Sequence, residues 1–289
     1  MSHTQAPSIF APALRRSRLE RAAGKFREHA FLHERVAEDA LDRLETVKRR
    51  FDSALFYGPA APLLAEKLTP AADVAAYQIA GESGVFLASQ GAQRPVETAA
   101  TALPFRDGAF DLVVSLMSLH AENDLPAALR EARRVLRPDG LFIGSFPGER
   151  TLGALRNALR EAESRVTGGL SPRVSPFVAV KDAGRLLQRA GFALPVSDTQ
   201  PVQVRYRDPA RLFADLRGMG ETAALAEGAR GALRRDVLAE TLSKLEGETI
   251  LFEIVVMTGW VPHESQQKPL KPGSARTSMA EAVARFTKE

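Results

Sequence analysis

Leu103-Pro104-Phe105-Arg106-Asp107-Gly108-Ala109-Phe110-Asp111-Leu112-Val113-Val114-Ser115-Leu116-Met117-Ser118-Leu119-His120 is the stretch whose reading decides the fold. Residues 110–115 form an apolar run with a single acid, the pattern of a strand buried on both faces. Residues 125–136 repeat apolar positions at helical spacing and stop at Arg137-Pro138-Asp139-Gly140, a turn with Pro and Gly in the expected order. Residues 141–145 then read as the next strand. Strand, helix, turn, strand at this spacing is one unit of a parallel sheet.

The same alternation extends both ways. Upstream, residues 53–57 and 74–79 read as strands, with a helix over 62–68 stopped by Thr69-Pro70. Residues 85–89 suit a short helix or a third strand. Downstream, 182–190 is a crossover helix ended by Gly191, and 202–206 with 249–259 suit an antiparallel pair closing one sheet edge. The expected fold is α/β, a mostly parallel doubly wound sheet with an antiparallel edge and helical insertions. Residues 1–50 form an N-terminal part, a loose arm over 1–13 and then one long helix or two. The main domain is 51–266, with insertions at about 147–178 and 208–246, followed by a polar tail at 267–289 with a short helix near 279–286. Ligands of open α/β sheets sit outside the carboxyl ends of the strands, so both insertions are placed to roof such a site, as a lid or as a stabilising cap.

The chain has 289 residues, a net charge of +4, and no cysteine, which excludes disulfides, thiolate metal sites and cysteine nucleophiles. Its 45% hydrophobic and 26% charged residues are ordinary for a globular domain. The basic residues do not alternate with aromatics, so no nucleic-acid partner is expected. No apolar run reaches the length of a membrane span. The Arg-rich, acid-poor start faintly resembles a mitochondrial presequence, but an Arg-rich helix of a bacterial cytoplasmic protein accounts for it too.

The phrases at 103–120 and 135–144 resemble the second half of a class I methyltransferase sheet, the fold that binds S-adenosylmethionine. That resemblance implies three cofactor contacts upstream. The first is an acid and a Gly-rich turn after the first strand, where this chain reads Phe56-Tyr57-Gly58-Pro59-Ala60-Ala61-Pro62. Phe56 stands for the acid, and only Gly58 remains of three glycines. The second is an acid closing the second strand, assigned to Gln78. The third precedes Leu103-Pro104-Phe105 and falls near Ala99, where no acid occurs. The positional cofactor contacts are therefore Gly58, Gln78, Ala99 and Leu116. Each charge-assisted hydrogen bond lost costs roughly 1.5–3 kcal/mol, so S-adenosylmethionine binding is expected to be weak or absent.

Longer phrases narrow the resemblance. Asn123-Asp124-Leu125-Pro126, Gly169-Leu170-Ser171-Pro172-Arg173-Val174-Ser175-Pro176-Phe177, Asp215-Leu216-Arg217-Gly218-Met219-Gly220-Glu221 and Gly259-Trp260-Val261-Pro262-His263-Glu264-Ser265-Gln266 resemble the methyltransferase-like assembly factors of respiratory complex I. Such factors hydroxylate an arginine on an iron–sulfur subunit and are similar to the malonyl-carrier-protein methyltransferase of biotin synthesis. The resemblance implies a protein partner, a complex I subunit, and a bacterial cytoplasmic location or the mitochondrial matrix in a eukaryote. This chain departs from those factors at Phe56, Ala60, Pro62, Gln78 and Ala99, and has Ala121 where an aromatic follows the His.

Other residues were weighed against plainer roles. His120, just past a strand end, is the candidate catalytic residue, with a structural hydrogen bond as the alternative. Arg150, Arg173, Arg217 and Glu221, in or beside the insertions, are the candidate partner contacts. His29 and His33 lie four apart, but nothing completes a metal set, and no metal is expected. Trp260 reads as core, and Gly218-Met219-Gly220 as a hinge or a helix end. The leading expectation is a methyltransferase-fold pseudoenzyme acting through protein contacts. The alternatives are an active methyltransferase or arginine hydroxylase with non-standard cofactor contacts, and a binding module for another small ligand.

Overall fold

A computed structural model describes residues 8–227 and 233–266. The stretch quoted first forms its centre. Strand β4 (Phe110–Leu116) is buried at all seven positions and pairs in parallel with β1 (Ala54–Tyr57) and β5 (Leu136–Pro147). Its one acid, Asp111, accepts the backbone N–H groups of Asp52 at 2.9 Å and Ser53 at 3.1 Å, which makes burial tolerable. Beyond β1 lie β2 (Tyr77–Gly81) and the two-residue β3 (Val96–Glu97). Beyond β5, β7 (Thr249–Trp260) and β6 (Ala193–Arg205) run antiparallel and close the edge, giving the order β3-β2-β1-β4-β5-β7-β6.

Helices cover both faces. Leu44 of α3 (Phe31–Val47) and Leu64 of α4 (Ala61–Lys67) join one apolar cluster with Phe56 and Val114. Leu129 of α6 (Leu125–Val135) and Leu187 of α8 (Val180–Ala190) join the other with Leu55 and Val113. Alternate residues of β1 and β4 thus feed opposite clusters, as strand geometry requires. Before α3 come α1 (Pro12–Ala22) and the single turn α2 (Phe26–His29); α5 (Gly84–Ser89) follows β2. The insertions supply α7 (Gly153–Thr167) on one side of α8, and α9 (Ala210–Gly218) with α10 (Arg235–Leu245) between β6 and β7. Helices α7 and α10 face each other through the Lys244–Glu161 and Arg165–Glu240 ion pairs. No helix among the described residues is long and apolar enough to cross a membrane.

Several expectations shift. The second strand begins at Tyr77 rather than 74, because Val74 makes only an isolated bridge to Phe51 before the chain settles into the sheet. Residues 84–89 are a helix, capped by Ser83, whose side chain accepts Phe86 N–H. Residues 9–11 are not loose: Ala11 N–H donates to Ala224 O at 2.8 Å and Ala226 N–H to Ile9 O at 2.9 Å. The expected tail helix lies outside the described residues.

Gly58 adopts φ +101°, and a Cβ there would stand 2.3 Å from the carbonyl oxygen of Leu116. Gly58→Ala therefore combines backbone strain with a clash between β1 and β4, and is expected to cost about 3 kcal/mol or more. The urea unfolding midpoint measures it; an unchanged midpoint would contradict this packing.

Candidate functional site

The sheet order reverses between β1 and β4, so a ligand site belongs above their carboxyl ends. The turn after β1 is unlike a nucleotide cradle. Phe56 is fully buried and stacks on Tyr77 with ring centres 5.2 Å apart, pointing away from the turn into the core. Ala60 sits at φ −89°, ψ −2°, so this turn does not ask it for positive φ. Pro59 and Pro62 offer no N–H to an anionic group. Past β4, Met117 takes φ +58°.

Past the carboxyl end of β4 lies a buried cluster of charges. Arg15 of α1 forks onto Glu221, with Nη1 donating to Oε2 and Nη2 to Oε1, both at 2.9 Å. The same guanidinium donates to Gly220 O at 3.0 Å and Met117 O at 3.1 Å. His120 Nε2 lies 2.9 Å from Glu221 Oε2. His33 Nε2 of α3 lies 3.3 Å from Oε1, a contact whose geometry falls short of a hydrogen bond. All four side chains are buried. Burial opposes ionisation of Glu221, but the Arg15 charge and the two imidazoles outweigh it and hold the carboxyl well below its usual range. Burial also lowers His33, against the pull of Glu221. Above the cluster, Asn123 clamps Phe10 through both its backbone N–H and carbonyl, at 2.8 and 3.0 Å. What remains is a void of about 30 Å³ among Arg15, Met117, His120, Phe177 and Glu221. That holds one or two waters and no nucleoside.

Beside it, α1 and the carboxyl ends of β2 and β3 border a more open cleft of about 440 Å³. Glu82, immediately after β2, faces this cleft and accepts the Ser118 hydroxyl at 2.6 Å. Glu97, closing β3, is paired with Arg16 and accepts Gly84 N–H. Tyr57 reaches across to donate to Thr98 O at 2.9 Å. Glu122 is pushed up to about 7 by burial and by the neighbouring Glu82.

Of the residues expected at the site, Gly58, Leu116 and Ala99 lie at these strand ends. Gln78 does not. It is the second residue of β2, bonded to Ile79 O and Arg94 O, and lines a separate surface hollow. The acid at the end of β2 is Glu82, missed because the strand was read too early; Ser83 as a helix cap was the signal that marks its end. Glu221 is the hub of the cluster rather than an outward contact. Arg150 is engaged with the buried Glu253 and Arg173 with Glu163, whereas Arg217 is exposed with no ion-pair partner among the described residues. His29 bonds Asp215 at 2.8 Å, and no group of residues that could hold a metal occurs among those described. Arg15 gave no sequence signal, being one of several arginines in a polar helix.

A family model described as "Methyltransferase domain" matches residues 57–144. YcgJ of Bacillus subtilis superposes with a TM-score of 0.52 at 14% identity, over 78% of this chain and 99% of that one. BH2331 of Bacillus halodurans C-125 gives 0.53 at 15% identity, over 77% and 99%. Sheet order and matched domain together define a class I methyltransferase fold. The mitochondrial arginine-hydroxylase NDUFAF5 of Danio rerio is 35% identical over 97% of this chain and 91% of its own length. The human protein of that name is 38% identical over 87% and 76%. A malonyl-[acyl-carrier protein] O-methyltransferase of Gallionella capsiferriformans is 31% identical over 86% and 90%. The chain belongs to the family of the arginine-hydroxylase NDUFAF5.

Two predictions follow from the charges. Glu221→Gln keeps the shape but leaves Arg15 buried without its counter-charge, an expected loss of about 3–5 kcal/mol at neutral pH. Because the folded Glu221 carboxyl is depressed, its contribution is complete above the ordinary value of 4.5 and disappears as pH falls through the lower folded value. Urea melts of both proteins from pH 7 to 3 should converge on acidification. Glu122 has the opposite sign. Its folded value, about 7, exceeds the ordinary 4.5, so it subtracts stability increasingly as pH rises between them. Glu122→Gln should stabilise the protein by about 2 kcal/mol at pH 8 and by almost nothing at pH 4. A gain at both pH values would contradict the assignment.

Proposed function

We propose that this chain is a methyltransferase-fold protein that acts in assembly of respiratory complex I through protein contacts, with little or no S-adenosylmethionine bound. The observation that supports the reading is the buried Arg15–Glu221 pair just past the carboxyl end of β4, the side of the sheet on which ligands of open α/β folds sit. A cofactor entering that space would have to break the buried pair. At about 3–5 kcal/mol, that penalty weakens a micromolar affinity to millimolar or beyond. Pro59 and Pro62 offer the group no N–H in the turn, and the void left beside the pair is about 30 Å³, so any room for it lies in the adjoining cleft of about 440 Å³. No catalytic step through the cofactor is derived.

The partner is inferred from the family and from the exposed lid. Relatives named as mitochondrial arginine-hydroxylases support the reading that an arginine-bearing partner is engaged. Arg217 leaves a guanidinium exposed on α9 for an acidic partner surface. The chain would work in the bacterial cytoplasm, or in the matrix of a eukaryote.

One observation favours a second reading, an active hydroxylase or methyltransferase that opens before binding. Glu82 stands at the end of β2, where an acid in this fold accepts ribose hydroxyls. Complementation separates the two. In cells lacking this gene, NADH:quinone oxidoreductase activity should be restored equally by the wild type and by Glu82→Gln, provided both accumulate. Loss of rescue with Glu82→Gln would favour the enzyme and overturn the scaffold.

A further inference from the structure

The insertions and α1 border a second, half-open cavity of about 440 Å³, distinct from the cleft at the ends of β2 and β3. Leu155 and Leu159 of α7, Val174 and Phe177 of the following loop, and Phe213 and Leu216 of α9 are among the apolar side chains that line it. Charge enters this apolar wall with one predominant sign. Arg18, Arg173 and Arg217 all line it. Arg173 is neutralised by Glu163, and the cavity's one carboxylate, Glu221, is already bound to Arg15. Arg18 and Arg217 have no ion-pair partner among the described residues. Arg18 is also half-buried, and burial together with Arg21 and Arg15 lowers its pKa: it is a cation held without a counter-ion.

The floor adds an independent feature. The small void above the charge cluster shares Leu152, Phe177 and Leu216 with the cavity wall, so the two spaces adjoin. His120 lines that void, and its Nδ1 is buried without a partner. Buried polar nitrogens in folded proteins are seldom left unpaired, and those that are point to a missing water or ligand.

We propose that the lid cavity binds a single-chain amphiphile with an anionic head, of the fatty-carboxylate class. The alkyl chain lies between α7 and α9, and the carboxylate meets Arg18 and Arg217. The volume falls within the range of small-molecule pockets, about 300–1,000 Å³. Leucine and phenylalanine walls supply affinity without direction, while the two unpaired guanidinia choose the sign of the head group. This site does not depend on whether S-adenosylmethionine binds.

Calorimetry on the full chain tests it, using octanoate, decanoate and dodecanoate below their micelle concentrations. Dodecyltrimethylammonium serves as the opposite-charge control. The affinity should rise about fourfold per added methylene, as burial of a growing chain requires. The joint variant Arg18→Ala, Arg217→Ala should weaken dodecanoate at least tenfold, with the far-ultraviolet spectrum and melting midpoint unchanged. Val174→Trp, a loop change that narrows the cavity, should weaken dodecanoate while leaving both arginines in place. Absence of heat with every carboxylate, equal binding of the ammonium control, or undiminished affinity in Val174→Trp would each overturn the proposal.

Discussion

One buried ion pair holds together parts of the chain that are far apart in sequence. Arg15 belongs to an N-terminal helix that buries only three of its eleven residues, and Glu221 belongs to the second insertion. Each element also contributes apolar side chains to the main core, Leu19 from the helix and Leu212 and Met219 from the insertion. The forked pair, completed by the carbonyls of Gly220 and Met117, pins both above β4. Such a pair adds little over a well-packed apolar contact, but breaking it leaves a buried charge unpaired. It therefore acts as a lock more than as glue. The lock stands just past the carboxyl end of β4.

The consequence is a division between frame and site. The frame needs only apolar strands, helices that cover them, and one glycine where β1 must pass close to β4. All of these are present, and the sheet takes the order of the class I methyltransferases. The site needs exposed N–H groups and acids free to accept hydroxyls. Here the turn is closed by Pro59, Ala60 and Pro62, Glu97 is engaged with Arg16, and Glu82 is engaged with Ser118. In the cleft beside α1, Glu82 and Glu122 stand close enough to perturb one another.

How far the sequence revealed this follows from the range of each interaction. The run at 110–116 and the helix at 125–135 were legible because periodicity and burial are local properties. The antiparallel edge was also legible, although β6 extends nine residues earlier than its apolar core suggested, through Pro195, Asp198 and Pro201, which edge strands tolerate. The second strand was misplaced by the isolated bridge at Val74, and that slip hid Glu82 behind Gln78. The lock itself was not legible. Arg15 and Glu221 are 206 positions apart, and nothing around Arg15 distinguishes it from Arg16 or Arg18. His120 and Glu221 were both singled out, but their pairing exists only in three dimensions.

The most direct test of this account is the affinity of the intact protein for S-adenosylhomocysteine, measured by calorimetry at pH 7.5 beside Arg15→Ala. Under the proposed reading, in which the ion pair bars the cofactor, the wild type should give a dissociation constant in the millimolar range or no heat at all, with any gain confined to Arg15→Ala. A low-micromolar constant for the wild type would show that the pair yields readily to the cofactor, and would contradict the account at its centre.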